Sequence, residues 1–380
     1  MTTTRRDFIA ATAAMTAGAT LPGRASAAIP GLPDTMVWST YDVGSTGYVE
    51  ASTIADALGK AHGTRIRLQN SGTSIGRVLP VIQKRAQYGW LANELFFAAE
   101  GLYEYAVPDW GPQDLRVLLG RVNSFSVVTT KVSGITKPEQ LKGKRMAIAR
   151  ANSSVMIKVE PILAFAGLTW KDVEIVEFPN YIATMTALIT GKADAAGAAP
   201  STAKLRELEA SPVGIGWVEL DPANKAGWAR AQKAVPFVET FQETVGAGLS
   251  ADKPVWAMGY RYPMVTTLGT TDPNEVYAVT KAIAEAYPSY KDSGPIMARW
   301  DPKIAGTAPM DAPFHEGAVR YLKEAGYWSA ESQAWQTGAI ARQAALRKAW
   351  TEFRAGTVPS EAEAFTAAWL ARRDAALKTL

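Results

Sequence analysis

The chain has 380 residues, of which 47% are hydrophobic and 20% charged, so it can bury a large core and is long enough for two domains. Its formal net charge is only +4, and it has no run of lysines and arginines with interleaved aromatic residues, which argues against nucleic-acid binding. Cysteine is absent, which excludes disulfides, thiolate metal sites and a cysteine nucleophile.

Residues 1–27 have the pattern of a twin-arginine export signal. Arg5 and Arg6 precede a short apolar stretch rich in alanine and threonine, and a small-x-small site follows, with cleavage expected after Ala27. The alternative is the amphipathic N-terminal helix of a cytoplasmic protein, but the stretch has no polar face. No later segment approaches the roughly 18 consecutive apolar residues of a membrane-spanning helix. The pattern predicts a soluble periplasmic protein that begins near Ala28.

Short apolar strands alternate with helical stretches from residue 36 onward, which is typical of a parallel sheet covered by helices. Residues 115–130 (LRVLLGRVNSFSVVTT) favour two strands in quick succession, and the alternation then restarts. A restart of this kind predicts a second lobe. We therefore expect an α/β fold with two lobes, of the type II-like periplasmic-binding-protein kind, joined by two crossovers near residues 122–127 and 245–262.

The predicted lobes are discontinuous in sequence. Lobe I comprises residues 28–124 plus 250–330, and lobe II comprises residues 125–249. Residues 221–253 resist periodic assignment.

A C-terminal helical extension is expected at residues 331–380, with helices at 332–355 and 360–377. The second of these begins with a capping box formed by Ser360 and Glu363.

Glycines and small polar residues follow five of the predicted strands. In a parallel sheet these joints share the carboxyl edge, where ligands of α/β folds bind, and the free N–H groups of helix starts favour a negatively charged group. Ordinary helix capping explains any single joint equally well. The candidate ligand-binding residues at the joints are Ser45, Thr46, Tyr48, Thr73, Ser74, Asn93, Asn152, Ser153, Ser154 and Tyr181.

Three larger side chains are further candidates. Arg150 directly follows the strand RMAIA, where its guanidinium suits a carboxylate, although a solvated charge explains it as well. Arg121 lies near the first crossover and could face either the cleft or the hinge. Trp90 occupies a strand interior, where it would form a pocket wall or pack in the core.

Residues 72–76, GTSIG, also fit the nucleophile elbow of serine hydrolases, with Ser74 as the nucleophile. The two histidines do not favour that chemistry: His62 is at an apparent helix C-terminus and His315 directly precedes a helix, so both suit capping roles. The usual metal-binding patterns are absent from the sequence. The sequence favours a binding protein without metal or cofactor, and a periplasmic hydrolase is the alternative.

Several stretches together resemble one family. They are VGSTG at 43–47, NSGTSIGRV at 70–78, LKGKRMAIARANSS at 141–154, GLTWKDVEIVEF at 167–178, ALITGKADAA at 187–196 and, most specific, PFHEGAVRYLKEAG at 313–326. From about residue 36 to residue 326 the chain resembles the TAXI family of substrate-binding proteins, which serve tripartite ATP-independent periplasmic (TRAP) transporters.

The resemblance implies a receptor whose lobes close on a small organic anion, with amino-acid and keto dicarboxylates as the default class. It would hand this carboxylate ligand to the membrane subunits of a TRAP transporter, and we expect it to be a monomer. Three features depart from the family. Tyr48 stands where the family has its second glycine, Arg150 stands where a glycine is usual, and the tail after about residue 329 is additional. They leave the identity of the ligand open.

Overall fold

The computed structural model describes residues 29–235, 237–378 and 380, so the predicted signal segment 1–27 lies outside the described residues. The strands are β1 (Thr35–Thr40), β2 (Arg65–Asn70), β3 (Tyr88–Leu91), β4 (Leu115–Thr130), β5 (Arg145–Ile148), β6 (Glu174–Glu177), β7 (Ala195–Ala198), β8 (Ile215–Trp217), β9 (Glu239–Glu243) and β10 (Val255–Leu268).

The helices follow the strands in the alternation that the sequence predicts. In the described part of the chain they are α1 (Thr46–His62), α2 (Ser74–Ile82), α3 (Glu94–Glu100), α4 (Ser153–Phe165), α5 (Tyr181–Ile189), α6 (Leu205–Ala210), α7 (Lys225–Ala234), α8 (Pro273–Glu285), α9 (Tyr287–Tyr290), α10 (Pro302–Ala305), α11 (Glu316–Glu324), α12 (Ala330–Ala355) and α13 (Ala362–Leu377).

The strands form two sheets that share the long strand β4. Lobe I has the order β2-β1-β3-β10-β4, and lobe II continues with β4-β7-β5-β6, while β8 and β9 pair with the two long strands β4 and β10 respectively. Up to Phe125, β4 pairs antiparallel with β10, and from Ser126 onward it pairs with β7. The predicted α/β fold with two lobes is confirmed.

Residues 115–130 form one strand of 16 residues, so the prediction of two strands is wrong. Polar residues in the middle of the segment suggested a break, but the structure supplies them with buried partners. Arg121 Nε and Nη2 donate to the Glu50 carboxylate at 2.7 and 2.5 Å, and Asn123 Nδ2 donates to Tyr260 Oη at 3.1 Å. The strand therefore continues through the crossover.

The residues without a periodic pattern, 221–253, also contain regular structure, namely α7 and β9. β9 pairs antiparallel with the start of β10 and contributes Glu243, which is 1% exposed. The Glu243 carboxylate accepts hydrogen bonds from both terminal nitrogens of Arg299, at 2.9 and 2.5 Å, and from Ser124 Oγ at 2.6 Å. A second buried ion pair thus lies beside the strands that connect the lobes.

The C-terminal helical extension is confirmed, and α12 and α13 pack against lobe I. Trp369 is 0% exposed, and its Nε1 donates to the carbonyl of Gly101 at 2.6 Å. The buried carboxylate of Glu100 accepts hydrogen bonds from Arg342 Nε, at 2.6 Å, and from Arg373. The predicted capping box of the last helix is wrong, because Glu361 is the N-cap and accepts from the amide of Ala364 at 3.0 Å.

No helix among the described residues is both long and apolar enough to cross a bilayer. No group of three or more histidine, aspartate or glutamate side chains among them is arranged to hold a metal ion.

The packing of the extension can be tested at Gly111, whose φ is +75° and whose added Cβ would run into the ring of Trp350 on α12. Gly134 has a similar φ of +68° but open space around it. Left-handed backbone costs an alanine about 1–2 kcal/mol at either position, and overpacking adds about 1–3 kcal/mol. We expect Gly111→Ala to lower the free energy of unfolding by at least about 1 kcal/mol more than Gly134→Ala, measured by urea denaturation. Equal losses would contradict the docking of α12 on lobe I.

Candidate ligand-binding site

Four helices begin at the cleft between the lobes, at joints that the sequence analysis selected. Three of the joint side chains are N-caps: Ser45 Oγ accepts from the amide of Tyr48 at 3.3 Å, Thr73 Oγ1 from Gly76 at 3.0 Å, and Asn180 Oδ1 from Ala183 at 2.9 Å. Each cap satisfies one of the free N–H groups in the first turn of its helix and fixes the direction in which the helix begins.

The fourth joint differs, because Asn152 makes no side-chain cap for α4. Its Oδ1 instead accepts from Arg77 Nη2 of lobe I at 3.4 Å. The amide of Ser74 donates to the carbonyl of Ala151 at 3.1 Å, and Ser74 Oγ lies 3.1 Å from Ser153 Oγ. These contacts join α2 to the start of α4, so the lobes are closed on this side of the cleft.

A second contact closes the lobes near α1. Thr46 Oγ1 of lobe I lies 3.2 Å from Ser201 Oγ of lobe II, within hydrogen-bond distance. The hydroxyl of Ser153 also donates to the carboxylate of Glu104 in lobe I. Contacts from two sides therefore enclose the space between the lobes.

That space is a small cavity of about 30 Å³. Typical ligand pockets measure about 300–1,000 Å³, so this cavity is too small for such a ligand in the present arrangement of the lobes. The lining residues are Tyr41, Asp42, Ser45, Ala92, Phe125, Asn152, Ser154, Val155, Lys158, Tyr181, Ala199, Tyr260 and Tyr262.

Four tyrosines line the cavity with hydroxyls that are bound elsewhere. Tyr41 Oη donates to Glu94 at 3.0 Å, and Tyr260 Oη accepts from Asn123 at 3.1 Å. Tyr262 Oη accepts from the amide of Gly47 at 3.1 Å, and Tyr181 Oη accepts from the amide of Ala199 at 3.1 Å. Because these hydroxyls are hydrogen-bonded to protein groups, the tyrosines contribute mainly their apolar rings to the cavity wall.

Lys158, on α4, carries the positive charge in the cavity wall. It is 2% exposed, and its Nζ donates to Asn93 Oδ1 at 3.0 Å and to Ser154 Oγ at 2.9 Å. The ammonium also lies 4.7 Å from the ring centroid of Tyr260 and 5.3 Å from that of Phe125. Among the described residues, none of the ion pairs includes Lys158.

Burial determines the charge state of this lysine. Desolvation lowers the pKa of Lys158 to about 7, and the negative charges of Glu94 and Asp311 offset only part of that effect. An anion in the cavity would supply the missing opposite charge.

Arg77 and Glu94 form a buried ion pair below the cavity. Both side chains are 0% exposed, and Arg77 Nε donates to Glu94 Oε1 at 2.8 Å. Burial raises the pKa of Glu94, but the charge and hydrogen bond of Arg77 together with the charge of Lys158 and a backbone hydrogen bond lower it below its ordinary value. The guanidinium also lies 4.3 Å from the ring centroid of Tyr41. Its charge is therefore largely committed within lobe I.

The candidate residues from the sequence fall into three groups. Those that line the cavity are Ser45, Asn152, Ser154 and Tyr181. Those connected to it by the interlobe contacts or by the contact with Lys158 are Thr46, Ser74, Asn93 and Ser153, and Thr73 is outside the lining as the N-cap of α2. The others outside the lining are Tyr48, Trp90, Arg121 and Arg150.

The last group has definite positions in the fold. Trp90 is 0% exposed and lies between Trp38 and Trp300 in the core, at centroid distances of 5.4 and 5.2 Å. Arg121 is buried and forms an ion pair with Glu50. Tyr48 is a partly exposed residue of α1. The Arg150 side chain is 60% exposed and pairs with Glu177 at 3.1 Å.

The contacts of Ser74 do not form a hydrolase triad. Its Oγ has Ser153 Oγ and Arg77 Nη2 as neighbours, at 3.1 and 3.4 Å. His62 is the last residue of α1, and His315 is the N-cap of α11, with Nδ1 accepting from the amide of Gly317 at 3.1 Å. The capping role predicted for His315 is confirmed.

Lys158 and the tyrosines at positions 41, 260 and 262 line the cavity but are not among the residues predicted from the sequence. Periodicity held a signal for the lysine, because Ser154, Lys158 and Ile162 recur every four residues on a helix that is otherwise largely apolar. A charged residue on such a stripe needs a buried partner or a ligand. The tyrosines on β10 offered no comparable signal.

The solved structures similar to this chain resemble it at low sequence identity. A protein from Bordetella bronchiseptica RB50 is 18% identical, with 90% of this chain and 89% of that chain covered and a TM-score of 0.46. The alkanesulfonate-binding protein from Xanthomonas axonopodis pv. citri, bound to MOPS, is 14% identical, with 83% and 94% covered and a TM-score of 0.45. An amino acid ABC transporter substrate-binding protein from Streptococcus pneumoniae, bound to L-arginine, is 12% identical, with 70% and 93% covered and a TM-score of 0.40.

Comparison with curated proteins found no match. Comparison with family models found one, described as the NMT1-like family, which matches residues 40–326. The match covers more than half of the 380 residues and includes both lobes with the whole cavity lining. The chain therefore belongs to the NMT1-like family.

Proposed function

We propose that the protein is a solute-binding receptor that captures a small organic anion, a carboxylate or an amino acid, between its lobes. The observation that carries the proposal is the Lys158 ammonium, buried in the cavity wall with neutral hydrogen-bond partners. A buried cation without a counter-ion is costly, and an anionic ligand offsets that cost only when the lobes are closed around it. The anion thus favours the closed state over the open one.

The geometry suits capture rather than chemistry. The long strands β4 and β10 run between the lobes, and α1, α2, α4 and α5 begin at the cleft between them. The first turn of α4, with Ser154 in the lining, adds a helix N-terminus to the positive charge of Lys158. The tyrosine rings would hold the apolar part of the ligand.

Delivery to membrane subunits of a transporter completes the proposal. The TAXI-like motifs support a TRAP-type transporter as the partner, and the twin-arginine pattern of residues 1–27 supports a periplasmic location. We therefore place the receptor outside the cytoplasmic membrane as a monomer that needs no cofactor.

Calorimetric titration with acetate, succinate, L-glutamate and benzoate tests the ligand class. We expect at least one of these anions to bind, and Lys158→Met to weaken it about 10–100-fold, since a hydrogen bond to a charged group contributes about 1.5–3 kcal/mol. Arg150→Met, which removes an exposed cation at the cleft, should leave the affinity within about twofold. Loss of affinity on Arg150→Met alone would contradict the assignment of the charge to Lys158.

The pH dependence of unfolding tests the burial of the lysine without any ligand. Between the pKa of about 7 in the folded protein and the unfolded value near 10.4, the unfolded chain binds more protons, so the stability of the wild type rises with pH. Lys158→Met lacks this slope. We expect Lys158→Met to be more stable than the wild type at pH 6.5, by a few kcal/mol, with the advantage shrinking towards pH 9.

The control for this measurement is Lys171→Met, which changes an exposed lysine of lobe II. It should show the same pH slope as the wild type. A constant difference between Lys158→Met and the wild type across pH 6.5–9 would show that Lys158 stays solvated.

Export can be tested separately by changing Arg5 and Arg6 together to lysine. Because the twin-arginine route reads the arginine pair, we expect the variant to accumulate in the cytoplasm as the precursor, while the wild type is found in the periplasmic fraction. Equal periplasmic amounts would contradict the route.

A further inference from the structure

Asp311 is not among the residues that line the cavity, but the side chain of Asn93 connects it to Lys158. We propose that Asp311 is a positioning residue for anion binding, whose carboxylate acts through Asn93 to keep the Lys158 ammonium charged and directed into the cavity. The inference rests on the proposed function, because it explains how a lysine buried between lobes remains able to meet an anion.

The hydrogen bonds through Asn93 have a fixed direction. Asn93 is 0% exposed; its Oδ1 accepts from Lys158 Nζ at 3.0 Å, and its Nδ2 donates to Asp311 Oδ2 at 2.6 Å. An ammonium has no acceptor and an ionised carboxylate has no donor, so the amide can satisfy both neighbours in this orientation alone. Its dipole therefore aligns the negative charge of Asp311 with the positive charge of Lys158.

Other charged groups near Lys158 are committed to other partners. Glu94 favours the ammonium but is paired with Arg77 at 2.8 Å, and the Arg77 charge opposes the ammonium. The remaining neighbours of the Nζ, Tyr260 and Phe125, present ring faces. The charges of Glu94 and Asp311 both favour the ammonium, but in the described part of the chain Asp311 forms no ion pair, and it is the carboxylate that Asn93 connects to Lys158.

The C-terminal extension shapes the surroundings of Asp311. The carboxylate faces a groove of about 380 Å³ between α3 and α12, which Phe96, Trp335 and Arg342 help to line. Arg342 is engaged with Glu100 at 2.6 and 2.7 Å, so it does not neutralise Asp311. Asp311 is partly exposed in this groove, and residues of α12 form part of the groove wall.

The pKa values of Lys158 and Asp311 are both shifted from their ordinary values. Burial raises the pKa of Asp311 to about 7, against the hydrogen bond from Asn93 and the charge of Lys158, which lower it. Arg261 lowers it as well, and Glu94 raises it. With the pKa of Lys158 also at about 7, each charge favours the other. Removal of the Asp311 charge should therefore lower the pKa of Lys158 and leave less ammonium at pH 7.

The direct test is the titration of Lys158 in the ligand-free protein. Carbon–proton correlation spectra of protein with 13Cε-labelled lysine are recorded from pH 5 to 9, and the Lys158 signal is assigned by its loss in Lys158→Met. We expect Asp311→Asn to move the midpoint of Lys158 down by about one pH unit, and Asp311→Glu to return it towards the wild-type value. Asp109→Asn, the same change at an exposed site of lobe I, should not move it.

An unchanged midpoint in folded Asp311→Asn would overturn the inference, since a purely structural aspartate would alter stability and leave the titration of Lys158 in place. Binding of the same four anions supplies the second readout. In Asp311→Asn, affinity should fall about tenfold at pH 7.5 and recover at pH 5.5, whereas a pH-independent loss would also overturn it. If none of the anions binds the wild type, the proposed function fails while the titration still decides the role of Asp311.

Discussion

A positive charge buried between two lobes is the constraint on which the rest of this structure depends. Lys158 projects from α4 of lobe II and is held by Asn93 of lobe I, so the ammonium belongs to neither lobe alone. The surrounding rings and amides can accommodate the charge, but they do not neutralise it. Under the proposed function, a cavity with this property would select solutes by charge first and by shape second.

Among the described residues, the buried arginines pair with glutamates and leave Lys158 without an ion pair. Within each of the ion pairs Arg77–Glu94, Arg121–Glu50 and Arg299–Glu243 the guanidinium meets a carboxylate at 2.5–2.8 Å, and both partners are at least largely buried. Burial on both sides makes each pair costly to break, because the partner would remain as an unpaired charge. The first pair links α2 to α3 and the second links α1 to β4, while the third includes Glu243 of β9.

Helix starts were predictable from sequence because capping is local. Gly, Ser, Thr and Asn at a strand end satisfy free amides a few residues away, and Ser45, Thr73 and Asn180 do so here. The same locality explains the failures. Residues 115–130 do not read as one strand from sequence, because Glu50, the partner of Arg121, is 71 positions away. Arg150 points outward, where it pairs with Glu177 of the neighbouring strand β6.

The sequence by itself determined the α/β alternation, the two lobes, the C-terminal helices and the edge of the sheet at which the cavity lies, because each follows from periodicity and capping within a few residues. Only the tertiary structure decided which charges are buried. Lys158 and Asp311 are 153 positions apart and neither forms a motif, but folding places one amide between them. The charge state of a side chain depends on its desolvation and on its neighbours in space, and a linear pattern specifies neither.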